Sequence, residues 1–293
     1  MNKRKVLFIV NPVSGGIRKD RFVRELSKAI DKSMLQAEIA LTHSAAETML
    51  AAKQAVNAMV DIVVACGGDG TINGIASQLS DTPTALGIIP MGSGNGFART
   101  LKIPFKLDEA LMVVQQGVIR QIDTGMVNEN FFINISGIGF DAHIAGKFHH
   151  SKRRGLSTYT SLVLKEFSRY KPELYRIQVG ESVVERKSFF AAVCNGSQFG
   201  NDFTIAPQAD LMDGSLELIE VRKPSLLQVP KLALNALQRK FDQNELVNVM
   251  HGKSFTIERE REGLVNIDGE PLEMGKLLAF RVCSSALHMV CCN

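Results

Sequence analysis

The chain has 293 residues, of which 45% are hydrophobic and 22% charged, with 24 Gly and 9 Pro. This near-average composition excludes collagen, coiled coil and disorder, and the length calls for two domains or one large α/β domain. A net charge of +4 is too small to imply a nucleic-acid partner, but it suits an anionic substrate or an anionic membrane surface.

The first third alternates short apolar runs with helical spacing. Residues 6–10 form a continuous apolar run ending in Asn-Pro, as a buried parallel strand does. Helical spacing over 22–30 follows, then a strand at 37–41 and an Ala-rich helix at 45–60. A strand at 61–66, a helix at 71–79, a strand at 85–90 and a helix at 108–116 ended by Gly117 complete the series. Such alternation with short connections predicts a parallel sheet with helices on both faces. From about Gly125 the rhythm changes to strands at 130–139, 174–179, 188–195, 215–221, 254–258 and 263–267, with turns at Glu181-Ser182 and Asp268-Gly269. Helical stretches at 157–169 and 224–241 interrupt them. The pattern predicts a mainly antiparallel β-sandwich over 125–283 after an α/β domain over 1–124; the last strand, at 277–283, and the tail at 284–293 are candidates to return to that first domain.

Cysteine usage points to a reducing compartment. The five cysteines are an odd count without metal-ligand spacing, and Cys66 and Cys194 stand in apolar runs as buried thiols. The start of the chain lacks a signal-peptide pattern, and no apolar run approaches the ~18 residues of a spanning helix. The expectation is a cytoplasmic protein, at most peripheral at the inner face of a membrane.

Three glycine-rich loops each follow a predicted buried strand: Asn11-Pro12-Val13-Ser14-Gly15-Gly16, Gly67-Gly68-Asp69-Gly70-Thr71 and Gly92-Ser93-Gly94-Asn95-Gly96. In an open parallel sheet these are the carboxyl ends of strands, where ligands bind. Glycine lets backbone N–H groups approach phosphate oxygens, and the helix starting at Thr71 aims its free amides at the same place. One such loop is most simply a tight turn, whereas three on successive strand ends converge. There is no GxxxxGK[ST] P-loop, and the spacing of Gly68, Gly70 and Gly74 matches a dinucleotide fingerprint only loosely.

These loops, with the segment 206–216 (Ala-Pro-Gln-Ala-Asp-Leu-Met-Asp-Gly-Ser-Leu) and Asp268-Gly269-Glu270, resemble the diacylglycerol kinase catalytic family, which includes bacterial lipid kinases and the sphingosine and ceramide kinases. The five motifs stand in the family's order over nearly the whole chain, and only Gly67–Thr71 is shared with NAD kinases. The resemblance implies a first domain that binds ATP, a sandwich domain that contributes the lipid site, and phosphoryl transfer to a lipid hydroxyl in the cleft between them. It implies ATP contacts at Asn11, Pro12, Val13, Ser14, Gly15, Thr42, Gly67, Gly68, Asp69, Gly70, Thr71, Ile72, Asn73, Ser93 and Asn95. Glu270 is implied as general base, Asp69 as a Mg²⁺ ligand or the base itself, and Asp210, Asp213 and Ser215 as holders of a second, structural Mg²⁺. The chain departs from the bacterial pattern at Gly74, where Glu is common, and at Gly96, where Asp is common. Its Gly-Ser-Gly-Asn form is closer to the sphingosine and ceramide kinases.

The residues by themselves leave alternatives open. Asp268-Gly269-Glu270 reads on its own as a hairpin turn, and Asp210 with Asp213 as either a polar turn or oxygen ligands for a hard cation. Arg18 and Lys19 are either added charge for the first loop or a solvated helix face. The basic run His149–Arg154 reads as a solvated loop or as contact with anionic lipid, and the helix at 224–241 as core packing or a lipid-entry surface. An NAD kinase and a nucleotide- or lipid-binding regulator without catalysis are the competing functions, and a homodimer is an open option.

Overall fold

A computed structural model describes residues 3–11, 19–151 and 155–292. The readings at Pro12, Val13, Ser14, Gly15, Gly16 and Arg18, and those at Lys152, Arg153 and Arg154, lie outside the described residues. Two compact units divide the chain: Met1–Ile122 with Ser285–Asn293, and Asp123–Ser284.

The first unit follows from its apolar runs. Strands β1 (Arg4–Val10), β2 (Leu35–Leu41), β3 (Ile62–Gly67) and β4 (Ala85–Pro90) lie in the order β2-β1-β3-β4, all parallel. Every residue of β3 and β4 is buried, as in a sheet covered on both faces, while edge strand β2 is half exposed. Helices α1 (Lys19–Ala29), α2 (Ala45–Asn57), α3 (Asp69–Leu79), α4 (Gly96–Thr100) and α5 (Leu107–Gln116) connect them. The helix expected to reach residue 60 stops at Asn57, because Met59 takes a left-handed φ of 53°.

The later strands in chain order are β5 (Val118–Val127), which runs from the first unit into the second, β6 (Asn130–Phe132), β7 (Ile135–Gly139), β8 (Glu173–Val179), β9 (Ser182–Ser188), β10 (Phe190–Cys194), β11 (Gln198–Gly200), β12 (Phe203–Thr204) and β13 (Leu216–Val221). They continue with β14 (Val247–Gly252), β15 (Ser254–Arg259), β16 (Gly263–Ile267), β17 (Glu270–Met274) and β18 (Leu277–Cys291). In the second unit a six-stranded antiparallel sheet runs β14-β13-β10-β7-β16-β17. Helices α6 (Phe140–His149), α7 (Leu156–Phe167) and α8 (Val229–Leu237) complete the unit. The second layer is β18-β15-β8-β9, also antiparallel. Period-2 alternation builds the sandwich: on β10, Ala191 and Val193 face a core shared with Tyr175, Phe255 and Phe280 of the other layer. Ala192 and Cys194 face the opposite side, against Ile205, Ala236 and Phe241.

The elements differ from the sequence expectation at several places. The helix expected over 224–241 is confined to Val229–Leu237, with Pro230 in its first turn, where a missing N–H costs nothing. Helix α6 was not anticipated. The strand expected at 277–283 and the tail beyond it are one fifteen-residue strand, β18, which carries the chain back to the first unit, where Met289 pairs with Leu86 of β4. The strand expected at 188–195 is interrupted at Phe189. No helix among the described residues is long and apolar enough to cross a membrane.

Arg259, buried at the end of β15, shows how the hairpin β16–β17 is held. Its guanidinium donates to the carbonyl oxygens of Gly263, Leu264, Met274 and Gly275 at 2.6–3.1 Å. A lysine has no planar fork with which to satisfy four carbonyls. Arg259→Lys is expected to destabilise the protein by about 2–4 kcal/mol, read as a lower urea midpoint.

Candidate active site

Parallel order places the ends of β1, β3 and β4 side by side. Asn11 N–H donates to the Cys66 carbonyl at 3.2 Å, and Met91 N–H to the Gly67 carbonyl at 2.8 Å. The Asn11 side-chain amide reaches Thr71 Oγ1 at 3.4 Å, joining the first loop to the second. The second and third loops also approach backbone to backbone: a Cβ on Gly92 would stand 2.7 Å from the Gly68 Cα and 2.7 Å from Asn95 Oδ1. A Cβ on Gly67 would strike the Thr71 hydroxyl at 2.5 Å. These glycines are required by close approach.

Two polar side chains lock the third loop. Asn95 takes a left-handed backbone (φ 50°, ψ 47°), accepts from Gly92 N–H at 2.9 Å and donates to the Gly92 carbonyl at 2.7 Å. Asp69 Oδ1 accepts from Phe97 N–H at 3.3 Å, and the Gly96 and Asn95 amides are also directed at the carboxylate. Burial raises the Asp69 carboxyl above its ordinary range, and these amides draw it back down. The carboxylate thus fastens one loop to the next.

The remaining nucleotide-site expectations fall in distinct places. Gly70 and Ser93 are exposed and Asn73 half-buried. Thr42 lies beside the end of β1, its N–H donating to the Val10 carbonyl and its hydroxyl 2.8 Å from that of Thr48. The Ile72 side chain is fully buried in the core, and its N–H donates to the Gly68 carbonyl.

Glu270 belongs to the second unit. Asp268 and Gly269 both have positive φ (49° and 95°) and close a two-residue hairpin in which Ile267 faces Glu270. The Asp268 carboxylate accepts the amides of Ile133, Asn134 and Ile135 at 2.8–3.0 Å. Asn266 accepts from Gly269 N–H at 3.0 Å and donates to Asp141 Oδ2 of α6 at 2.8 Å. Helix α6 is seated closely on the hairpin, since a Cβ on Gly146 would meet Leu264 at 2.5 Å. At its last turn His149 Nδ1 lies 3.3 Å from Glu270 Oε2, and the Glu270 side chain is 65% exposed. A firmly held turn therefore carries an accessible carboxylate. Of its supports, Asp141 and Asn266 are absent from the sequence expectation, and His149 figures there only as the start of the basic run His149–Arg154; the Asp-Gly pair is the turn's one visible signal.

The loop before β13 consists of turns made by its own carboxylates. Asp210 Oδ1 accepts from Met212 N–H at 3.0 Å, and Asp213 Oδ1 from the Ser215 N–H and hydroxyl at 2.8 and 2.9 Å. Gly214 (φ +71°) donates to the buried Asp123 at 2.7 Å. No group of three His, Cys, Asp or Glu side chains gathers as a metal site among the described residues. The oxygen-only donors of Asp210, Asp213 and Ser215 nonetheless suit a hard cation. Nearby Glu217 is pushed up to about 7, by burial first and then by the charges of Asp242 and Asp213.

A glycine-loop α/β unit and a separate antiparallel sandwich define a two-part fold class. Residues 5–127 match the diacylglycerol kinase catalytic domain, and residues 134–291 the YegS C-terminal NAD kinase beta sandwich-like domain. A Chromohalobacter salexigens protein named probable lipid kinase YegS-like is 31% identical, covering 85% of this chain and 82% of the relative. A Staphylococcus aureus diacylglycerol kinase is 28% identical over 92% and 86% of the two chains. A crystal structure of a Bacillus anthracis protein, provisionally described as a diacylglycerol kinase, shares the fold: TM-score 0.81, 23% identity, 99% and 98% of the chains covered. The chain belongs to the diacylglycerol kinase catalytic family of YegS-like lipid kinases, and it is a kinase of that class.

The buried Asp141 gives a pH signature. Burial pushes its carboxyl up to about 6, with Asn266 opposing the shift. The native state therefore holds this proton more tightly than the unfolded chain, and stability falls as pH rises from about 4 to about 6, by about 3 kcal/mol. Asp141→Asn keeps an acceptor for Asn266 and removes that loss. Urea unfolding of the variant should be flatter across this window and show a gain at pH 7.

Proposed function

We propose that the chain transfers the γ-phosphoryl group of ATP to a hydroxyl of a membrane lipid, diacylglycerol or a sphingoid- or ceramide-like lipid, with Mg²⁺ required. The observation that carries this reading is the backbone contact of Gly68 with Gly92 beside Asn11, within a chain of the lipid kinase family. Phosphoryl transfer asks little covalent work of a protein beyond in-line positioning and neutralised charge. Loops with no side chain in the way leave amides for phosphate oxygens, and Asn11, Gly67, Gly68, Gly70, Thr71, Asn73 and Ser93, with the first-loop residues Pro12–Gly15, are the group we assign to ATP.

Glu270 is the group assigned to take the proton from the lipid hydroxyl. Its turn is immobilised by Asp268 and Asn266, and its carboxylate is open to a substrate. Asp69 holds the third loop in place and is the candidate ligand of the reaction metal; Asp210, Asp213 and Ser215 are candidates for a second ion. Mg²⁺, when bound, would neutralise charge on the phosphoryl oxygens.

Incubation with labelled ATP, Mg²⁺ and total membrane lipid is expected to label a lipid, with no labelling of NAD; labelled NAD with unlabelled lipid would sink the proposal. Glu270→Gln should lower kcat by about 10²–10⁴-fold while the KM for ATP stays near wild type. Gly92→Ala drives a methyl into Gly68 and Asn95, and should instead raise the KM for ATP and lower the thermal midpoint.

A further inference from the structure

Residues 222–240 contain five of the chain's 34 Lys and Arg (Arg222, Lys223, Lys231, Arg239, Lys240) and none of its 30 Asp and Glu. They lead from β13 through α8. One side of α8 is committed to the protein: Ala236 and Leu232 pack on the core with Phe241 and Ile219, and Val229 on the aromatic cluster of Phe140, Phe167 and Phe189. The other side is apolar and uncovered. Leu234 and Leu237 are 52% and 54% exposed, and Leu226 and Leu227, just before the helix, are 73% and 92% exposed.

Scattered exposed leucines are ordinary, but four within twelve residues, on an anchored helix and its approach, form a patch that calls for a partner. Lys231 is exposed one helical turn from Leu234, and Arg239 and Lys240 are exposed just beyond the helix. Arg222 and Lys223 are tied back to the carbonyls of Glu245 and Tyr170, so they brace the segment.

We propose that this segment is a docking surface for an anionic lipid bilayer, with Leu226, Leu227, Leu234 and Leu237 entering the interface and Lys231, Arg239 and Lys240 meeting headgroup phosphates. Apolar side chains bordered by cations are the arrangement that binds at such an interface. Charge chooses this occupant over a second copy. A symmetric dimer through the patch would set like charges against each other with no acidic side chain in the segment to pair them. A bilayer containing phosphatidylglycerol supplies the missing anions. The inference rests on the lipid kinase reading for its purpose, since it brings the enzyme to its acceptor, but its geometry is independent of the reaction.

The test is co-sedimentation of the full chain with vesicles of phosphatidylcholine and phosphatidylglycerol at 7:3, and with phosphatidylcholine alone. Wild type should pellet with the anionic vesicles, less with the neutral ones, and progressively less as salt is added. A variant combining L226S, L227S, L234S and L237S, and a second combining K231E, R239E and K240E, should each lose at least ten-fold in vesicle affinity. Both should keep the wild-type melting temperature and the wild-type rate on detergent-dispersed lipid. Wild-type vesicle binding by the charge-reversal variant would overturn the proposal, even if the leucine variant failed to fold. A wild-type dimer in solution that the leucine changes convert to monomer, without vesicle binding, would also overturn it in favour of a second copy. Patch-dependent binding by a chain that phosphorylates no lipid would leave the docking surface standing and retire the kinase reading; lipid phosphorylation with patch-independent binding would do the reverse.

Discussion

Two neighbouring parallel strands of the first unit end in backbones that touch, Gly68 against Gly92, and a Cβ on Gly92 would stand only 2.7 Å from the Gly68 Cα. The third loop takes its shape from this closeness. Asn95 must turn left-handed to follow it, and its amide then clasps Gly92 from both sides. Asp69, at the start of α3, is drawn against the amides of residues 95–97. Burial raises this carboxyl, and the same amides it organises oppose the rise.

The second unit solves a similar problem with similar chemistry. Asp268 gathers three amides from the residues entering β7, and Asp141 steadies Asn266 beneath the hairpin turn. In both units a carboxylate is spent on main-chain N–H groups, which fix a loop more tightly than exposed ion pairs do.

The sequence revealed those parts of the fold whose signal is local. Continuous apolar runs announced β3 and β4, and glycines placed after them announced the loops. Helix α6 escaped because six of its ten residues are buried, Asp141 and Gly146 among them, which erases the one-sided pattern of a surface helix. The partner of Asp141 stands 125 residues away, so no spacing rule connects them. Glu270 was visible on its own only as part of an Asp-Gly turn, and its chemical reading came from family resemblance. Helix α8 was overextended because the apolar spacing continues past the point where its cap falls, and the exposed leucines before Pro230 looked like more of the same face.

The path of β18 makes the first unit discontinuous in sequence. Leu287, Met289 and Val290 are buried with that unit, and Met289 pairs with Leu86 of β4 across the whole of the second unit's sequence. Residues 1–122 therefore do not complete their own sheet: a fragment cut there would leave β4 without its β18 neighbour. Folding of the first unit includes a long-range closure, the slow kind of step, whose loop is the entire sandwich.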